Sequence, residues 1–240
     1  MRQYARGNAA GYIRRMCGRF DQHTLPYRYA GYIDALLRTS ESDPPPRYNV
    51  APQTRAWVGR TARDGGRELV PLLWGLVPYW AEDPDKGARP INARSESVQA
   101  RPMFRELIAR RRCVIPVDGF YEWQASASGK RPHYIRRADG APMLLAGLWD
   151  RWKHGAAAAI ESFTVLTTDA NEAVARLHDR MPAIIDPADL ARWLDVQSVD
   201  AGAARALLKP YPSDATTIYP VSRAVNAAKN EGPELIAPLK

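Results

Sequence analysis

The 240-residue chain lacks the features that mark several large classes of protein. No stretch approaches the ~20 apolar residues that a bilayer-spanning helix needs. The two cysteines, Cys17 and Cys113, cannot build the disulfide framework of a small secreted protein. No GxxxxGK[ST] or strand-linked GxGxxG motif is present to cradle a nucleotide, and four scattered histidines lack zinc-ligand spacing. These absences predict no membrane span, nucleotide, metal or other cofactor.

The charge of the chain is unevenly distributed. The formal net charge is +8, and residues 1–16 contain four arginines and no acid, so half of the excess lies in this short segment. A net charge of this size is compatible with a polyanionic partner such as nucleic acid. Because the segment has no apolar core long enough for a signal peptide, we expect a cytoplasmic protein. Residues 1–16 are predicted to be a disordered or untranslated extension, and 17–240 the folded domain.

Short apolar runs separated by turn signals predict one mixed α+β domain with a largely antiparallel core and short flanking helices. The spacing of apolar residues predicts a helix over 29–37, and Pro102 opens a predicted helix over 100–112. Strands are predicted at 56–59 and 68–76, around a turn at 64–66, and at 113–117, 119–123, 132–137, 143–149 and 163–167. Residues 42–52 and 77–90 are predicted loops. Nothing in the sequence indicates a dedicated subunit interface, so we expect a monomer.

Several segments combine residues that could perform chemistry, although each has an ordinary structural explanation alone. A lone cysteine is usually a small buried hydrophobe, and a lone histidine is usually a hydrogen-bonded structural group. Glu122 could be a paired charge on a strand, and Asn92 could end a turn. The run of apolar residues around Cys113 predicts a buried core position for that thiol.

Taken together, these segments resemble one family. In chain order they are Met16-Cys17-Gly18-Arg19-Phe20, Arg47-Tyr48-Asn49-Val50-Ala51-Pro52, Trp74-Gly75-Leu76-Val77-Pro78, Ile91-Asn92-Ala93-Arg94-Ser95-Glu96, Asp118-Gly119-Phe120-Tyr121-Glu122-Trp123, His178-Asp179-Arg180-Met181-Pro182 and Val221-Ser222-Arg223-Ala224-Val225-Asn226. The set is similar to the SRAP (SOS response-associated peptidase) family of abasic-site processing proteins. The resemblance extends from Cys17 nearly to the C-terminus and implies the SRAP fold.

The resemblance implies that the protein binds single-stranded DNA at an abasic site and captures the ring-opened sugar covalently, which shields the lesion. Cys17 would be the nucleophile, as the first residue of the mature chain. An N-terminal cysteine carries an α-amine and a thiol on one carbon skeleton, so it can convert an aldehyde into a thiazolidine. The α-amine has a pKa near ~8, so an appreciable fraction is nucleophilic at neutral pH. An internal cysteine has no such amine.

The resemblance also implies roles for seven other residues. Asn92 would position the amine or the sugar, Glu122 would act as acid and base at the imine step, and His178 would protonate the opened sugar hydroxyl. Arg19 and Arg94 would contact phosphates. Trp80 and Met103 would stack on or wedge between bases, with ordinary packing as the alternative explanation.

The sequence departs from the family at its N-terminus, because sixteen residues precede Cys17. Translation from Met16 followed by removal of that methionine would expose the amine, and so would self-cleavage between Met16 and Cys17. Two other functions remain open at this level. One is a thiol peptidase or amidase that uses Cys17 and His178, and the other is a non-covalent single-stranded DNA-binding module.

Overall fold

The computed structural model describes residues 18–40, 43–126, 129–155 and 157–239. Cys17 and the N-terminal extension lie outside the described residues. The described chain has a mixed α+β fold of two packed β-sheets with short helices, which confirms the predicted fold class. Within the described residues, no helix is both long enough and apolar enough to span a bilayer.

The smaller sheet is antiparallel and carries the start of the described chain. Its strand order is β13-β9-β8-β1-β3. The bounds are β1 (Phe20–Gln22), β3 (Arg47–Val50), β8 (Gly119–Gln124), β9 (Arg131–Arg137) and β13 (Thr216–Pro220). Strand β1 lies between β8 and β3 and pairs with both, so that Phe20 lies opposite Val50 on one side and Phe120 on the other.

The larger sheet closes into a barrel. Its order is β12-β11-β10-β7-β4-β5-β2, with β6 also paired to β11. Closure comes from a short parallel pairing that places Ser162 and Phe163 of β11 beside Leu73 and Trp74 of β5. The bounds are β2 (Leu36–Leu37), β4 (Arg55–Thr61), β5 (Arg67–Trp74), β6 (Asn92–Arg94), β7 (Arg112–Val117), β10 (Met143–Trp152), β11 (Ile160–Asp169) and β12 (Arg180–Pro182).

The two larger of the three apolar clusters among the described residues hold these layers together. One lies between the sheets, where Phe20 packs 4.7 Å from Trp74 between ring centroids and the buried thiol of Cys113 joins the aliphatic side chains. Burial raises the pKa of Cys113 well above its usual range, so this cysteine occupies the predicted core position as an unreactive thiol. The other cluster joins the outside of the barrel to the helices.

The helices are short, and most begin at residues that the sequence marks. They are α1 (Pro26–Tyr32), α2 (Pro102–Arg110), α3 (Glu172–Ala175), α4 (Leu190–Leu194) and α5 (Ala201–Arg205). Pro102 opens α2 as predicted, because its missing N–H is needed least in a first turn. Asp186 caps the turn that leads into α4, since its side chain accepts a hydrogen bond from the Ala188 amide at 2.9 Å.

The helix predicted over 29–37 is wrong in its second half. Asp34 has a positive φ of 51°, which ends the helical path after α1. Leu36 and Leu37 then pair in parallel with Glu68 and Leu69. The predicted loop over 42–52 likewise contains a strand, β3, which sequence periodicity does not reveal because its hydrogen-bond partner is remote.

A partly buried polar cluster joins β1 to the connection between β7 and β8. Ligand atoms of Asp21, His23 and Asp118 lie within 4.8 Å of one another, a spacing that a metal ion could use. However, their carboxylates already accept hydrogen bonds from the hydroxyls of Tyr134 and Tyr29, both at 2.6 Å, and His23 Nδ1 lies 2.8 Å from Asp21 Oδ1. The arrangement is therefore an internal hydrogen-bond network that ties the two sheets together.

This cluster predicts a pH dependence of stability. The hydrogen bond to Asp21 raises the pKa of His23, and burial raises the pKa of Asp21 to about 6. Both groups hold their protons more tightly when folded, so the stability they add is complete below their unfolded pKa values and is lost as the pH rises through the folded ones. We expect the free energy of unfolding in denaturant titrations to fall between about pH 4 and pH 6, as Asp21 ionises, and to fall again above about pH 6.5, as His23 loses its proton. His23→Gln should remove the second fall.

The control for this prediction is His154→Gln. His154 is exposed and stacks on Trp152 at 5.6 Å, so its replacement leaves the cluster intact. Equal pH slopes for wild type and His23→Gln would contradict the assignment.

Candidate DNA-processing site

A groove beside β6 collects several of the residues singled out from the sequence. Its wider part, of about 970 Å³, is lined by Asn92, Arg94 and Arg89, and its narrower part, of about 490 Å³, extends to Met103. Arg101 lines both parts. The groove therefore combines three arginines with apolar walls, which suits a backbone of phosphates with attached bases.

Asn92 and Arg94 are positioned by strand β6, which forms only by pairing with a strand remote in sequence. The three residues of β6 pair in parallel with β11, so that Asn92 lies beside Val165 and Arg94 beside Thr167. Alternation along the strand then turns Asn92 and Arg94 to the same side, with buried Ala93 on the other. Thr167 also lines the groove, and its hydroxyl donates to the Ala93 carbonyl at 3.3 Å.

Glu122 is a buried carboxylate near the start of the described chain. It lies on β8 opposite His133 and is 2% exposed. Its Oε1 accepts a hydrogen bond from the Trp123 amide at 3.1 Å. Because Phe120 lies opposite Phe20 and Tyr121 N–H donates to the Arg19 carbonyl at 3.1 Å, the antiparallel register continues toward Gly18 opposite Glu122.

Strand β3, which pairs with β1 on the side opposite β8, is followed by residues that line the groove. Val50 of β3 lies opposite Phe20, and the chain leaving β3 supplies Pro52 and Gln53 to the groove wall. Gly18, the first described residue, therefore lies at the end of β1 that faces Glu122 on one side and the groove-lining segment on the other.

His178 is held by the segment that leads into β12. The ring is 8% exposed, and its Nδ1 accepts a hydrogen bond from the Arg180 backbone N–H at 3.1 Å. Asp179 Oδ1 also lies 2.8 Å from this nitrogen, a contact that requires a proton on Nδ1. The backbone donor is fixed, whereas Asp179 is 78% exposed and strongly solvated, so Nδ1 is held as an acceptor by the Arg180 N–H.

With Nδ1 as the acceptor, the ring N–H lies on Nε2. That atom is buried and has no hydrogen-bond partner within the described residues. A buried Nε2–H without such a partner is suited to donate to an oxygen that enters the site.

Two neighbouring contacts connect His178 to the rest of the site. Gln124, two residues beyond Glu122, donates to the Arg176 carbonyl at 3.3 Å, so the end of β8 adjoins the segment that carries His178. Arg180 pairs with Glu96 through hydrogen bonds of 2.7 and 2.8 Å. Glu96 follows β6 closely, so this bidentate pair joins the His178 segment to the strand that bears Asn92.

Arg19 is committed to internal contacts. Its Nη1 donates to Asn49 Oδ1 and to the Val225 carbonyl, both at 3.0 Å. Burial, with a smaller contribution from Arg47, lowers the pKa of Arg19. Asn49 in turn donates to three carbonyls around the 3-10 helix at Arg223–Asn226. The side chain is half-buried, so a phosphate could reach only its remaining edge.

Trp80 lies outside the groove lining. It is 46% exposed on the loop after Val77 and contacts Tyr79 edge-on at 5.1 Å between centroids. Met103, by contrast, lines the groove and also packs against the core. Its position is therefore compatible both with contact to a base and with ordinary packing.

Sequence reasoning missed several groups that shape this site. Arg89 and Arg101 line the groove, while Asn49, Glu96 and Arg180 hold other site residues in place. Asn49, Glu96 and Arg180 lie inside the family-like segments, and this position was the only sequence feature that could have pointed to them. Arg89 and Arg101 lie outside those segments and gave no signal beyond their charge.

Comparison with known proteins agrees with this architecture. The sequence profile of the SRAP family, described as SOS response associated peptidase, matches residues 16–228. Abasic site processing protein YoqW of Bacillus subtilis (strain 168) is 36% identical over 226 residues, covering 92% of this chain and 99% of that protein. Abasic site processing protein YedK of Escherichia coli (strain K12) is 34% identical over 230 residues, covering 93% and 100%.

A solved structure confirms the fold. The crystal structure of a protein from Bacteroides thetaiotaomicron superposes with a TM-score of 0.84 at 26% sequence identity, covering 93% of this chain and all of that one. The family profile and the relatives agree across nearly the whole chain. The chain belongs to the SRAP (SOS response associated peptidase) family.

Proposed function

We propose that the protein processes abasic sites in DNA, and that it does so by capturing the ring-opened sugar on Cys17 in a single strand. The observation that carries the proposal is the register of β1, which brings the start of the described chain between Glu122 and the groove that contains Asn92 and Arg94. Cys17 directly precedes Gly18 in the sequence. The names of the relatives support the same substrate.

The proposed chemistry needs only groups of the chain and the sugar. The α-amine of Cys17 adds to the aldehyde, and loss of one water gives an imine. The thiol then adds across the C=N bond, its sulfur to carbon and its proton to nitrogen, to close a five-membered thiazolidine. Glu122 would accept and return protons in these steps, and His178 Nε2–H would donate to the hydroxyl released by ring opening.

A denaturing gel tests the proposal. Protein that begins at Cys17, mixed with a strand bearing one abasic site, should give a heat-resistant shifted band. Cys17→Ala and an intact strand should give none. Cys113→Ala is the matched cysteine control and should retain the band, because that thiol is buried and internal. Absence of the band, with a verified free Cys17 amine, would refute covalent capture.

Blocking the α-amine separates this reaction from its alternatives. Acetylation of Cys17 should abolish the crosslink, whereas a thiol peptidase would keep its activity because it needs no amine. A non-covalent DNA-binding module would bind the strand equally well with Cys17→Ala and would never form the band.

Exposure of the amine is part of the proposal. We favour translation from Met16 with removal of that methionine, and the family profile begins at the same residue. Self-cleavage after Met16 is the alternative. Intact-mass spectrometry of active protein should show a chain that starts at Cys17, and a mass that matches residues 1–240 would contradict both routes.

Arg94 is expected to contact the DNA backbone. It is exposed and lines the groove. Loss of one phosphate contact should reduce the slope of log affinity against log salt by ~0.7 for a single strand, so Arg94→Gln should bind more weakly and less salt-dependently. Arg28→Gln removes another exposed charge, on α1 and outside the groove lining, and should keep the wild-type slope. Identical slopes for both variants would remove Arg94 from the interface.

A further inference from the structure

A second groove, of about 680 Å³, lies where the tip of the β4–β5 hairpin meets the ends of β10 and β11. It shares no described lining residue with the groove beside Asn92. Five arginines line it against three carboxylates, which leaves a net charge of +2. The arginines are Arg38, Arg60, Arg63, Arg111 and Arg151.

Trp149 organises two of these arginines. The guanidinium carbons of Arg60 and Arg111 lie 4.1 and 4.6 Å from the centre of its ring. Arg60 is nearly buried and is neutralised by Glu68 at 2.8 Å and Glu161 at 3.1 Å. Arg111 is 37% exposed and lies 3.8 Å from the buried carboxylate of Asp150, so its guanidinium is oriented by the ring and by this carboxylate while part of its edge faces solvent. A pre-oriented guanidinium loses less side-chain entropy when it binds an anion.

A basic path along α2 connects the two grooves. Arg101, immediately before this helix, lines the groove beside Asn92, and Arg111, immediately after it, lines the second groove. Arg105 and Arg110 are exposed between them, with Glu106 as the one acid of the helix. The nine residues of α2 span ~13.5 Å at 1.5 Å per residue, so a strand that follows this helix passes from one groove to the other.

We propose that α2 and the second groove bind the sugar–phosphate backbone of the DNA strand where it leaves the groove beside Asn92. The proposal rests on the proposed function and extends its binding site to DNA remote from the lesion. Arg105 and Arg110 contact phosphates along the helix, and Arg63, Arg111 and Arg151 contact those that follow. Because guanidinium–phosphate contacts do not read base edges, the extended site is insensitive to sequence.

The lining composition favours a nucleic-acid backbone over a protein partner. Apart from Trp149 and Ala62, the residues that line the second groove are polar or charged. A protein interface of standard size is centred on buried aromatic and aliphatic anchors, which this groove does not offer. A polyanion needs only the excess of positive charge and its continuity with the first groove.

The test compares strands of two lengths with one double variant. Arg63→Gln/Arg151→Gln removes two exposed charges from the second groove, and Arg28→Gln/Lys209→Gln removes two exposed charges that line neither groove. Intact single strands of about 8 and about 25 nucleotides are titrated by fluorescence anisotropy at several salt concentrations. Crosslinking to abasic strands of both lengths is followed separately, with the lesion placed near the 5′ or the 3′ end of the longer strand.

On the long strand we expect the Arg63→Gln/Arg151→Gln variant to bind more weakly, with a salt slope smaller by ~1.4 for two lost contacts. On the short strand it should match wild type, and its crosslinking rate at saturating DNA should be unchanged. At subsaturating DNA, the Arg63→Gln/Arg151→Gln variant should crosslink less efficiently to the longer strand for only one of the two lesion positions. That position is the one from which the rest of the strand extends over α2 and the second groove, so it identifies the direction of the bound strand.

Equal affinities and slopes of both double variants on the long strand would overturn the extended site. An equal loss on short and long strands would also overturn it, because the effect would then be one of overall charge. Failure of the proposed function looks different: wild-type protein would bind neither strand, or would bind without forming a crosslink.

Discussion

Glu122→Gln is expected to slow crosslink formation about 100-fold or more at saturating DNA, while affinity for an intact strand stays at the wild-type value. Glutamine keeps the size of the side chain and can still accept the Trp123 amide bond that Glu122 Oε1 accepts at 3.1 Å. It cannot take up and return the protons that imine formation requires. The expected loss is therefore confined to the chemical step, and single-turnover gels at several DNA concentrations measure it.

Two controls test whether the loss is specific to Glu122 and whether the variant is folded. Glu172→Gln changes an exposed carboxylate in the first turn of α3 and should crosslink at the wild-type rate. Far-UV circular dichroism should show that Glu122→Gln is folded, as expected for a replacement of equal size at a position that is 2% exposed. A variant that is folded, binds DNA and crosslinks at the wild-type rate would remove Glu122 from the reaction.

The pH profile distinguishes a proton-transfer role from a purely structural one. In wild type the rate should rise with pH as the α-amine, with a pKa near ~8, loses its proton. In Glu122→Gln the pH dependence of the remaining crosslinking rate should reflect titration of the α-amine alone. A structural role would lower the rate equally at every pH.

The fold could be predicted from the sequence wherever the signal was local. The turn at Asp64–Gly66 is confirmed, with Gly65 at a φ of +87°, and so is the helix opened by Pro102. Turn residues, caps and prolines act on their own neighbours, so their effects can be read without tertiary structure. The missed strands have pairing partners that lie far away in the chain, and they are β1, β2, β3, β6, β12 and β13.

For the candidate site too, the sequence identified residues within local motifs but not the long-range contacts that position them. Asn92, Arg94 and Met103 were singled out from family-like segments or the helix beside them, and the structure brings all three to one groove. Sequence could not show that β6 exists only as a partner of β11, which is what orients Asn92 and Arg94. It also could not show that Arg19 already holds Asn49, since that contact joins residues thirty positions apart.

The run Arg110-Arg111-Arg112 shows why charge alone misleads. Arg110 is 80% exposed at the end of α2, and Arg111 lies half-buried against Trp149. Arg112 is 1% exposed and contributes nothing to a DNA-binding surface, although the sequence counts it equally in the net charge of +8. Strand alternation in β7 turns this side chain beneath the helices, where it meets backbone carbonyls instead of solvent.

Arg112→Met is therefore expected to destabilise the fold by about 3–5 kcal/mol. The guanidinium donates to the carbonyls of Trp193 and Asp195 at 2.6 Å, of Ile108 at 2.9 Å and of Val199 at 3.0 Å, with a longer contact to Ala109 at 3.4 Å. Methionine fills the volume but leaves several buried acceptors without these donors. The transition midpoint in denaturant should fall accordingly.

Arg110→Met is the matched control, two residues away and exposed, and should change the free energy of unfolding by less than ~0.5 kcal/mol. Arg112→Lys should recover little, because an ammonium group cannot reach carbonyls on both α2 and the segment after α4 as the guanidinium fork does. If Arg112→Met were as stable as Arg110→Met, the carbonyls around Arg112 would have to be satisfied by water. The junction between α2, β7 and α4 would then be held by its apolar contacts alone.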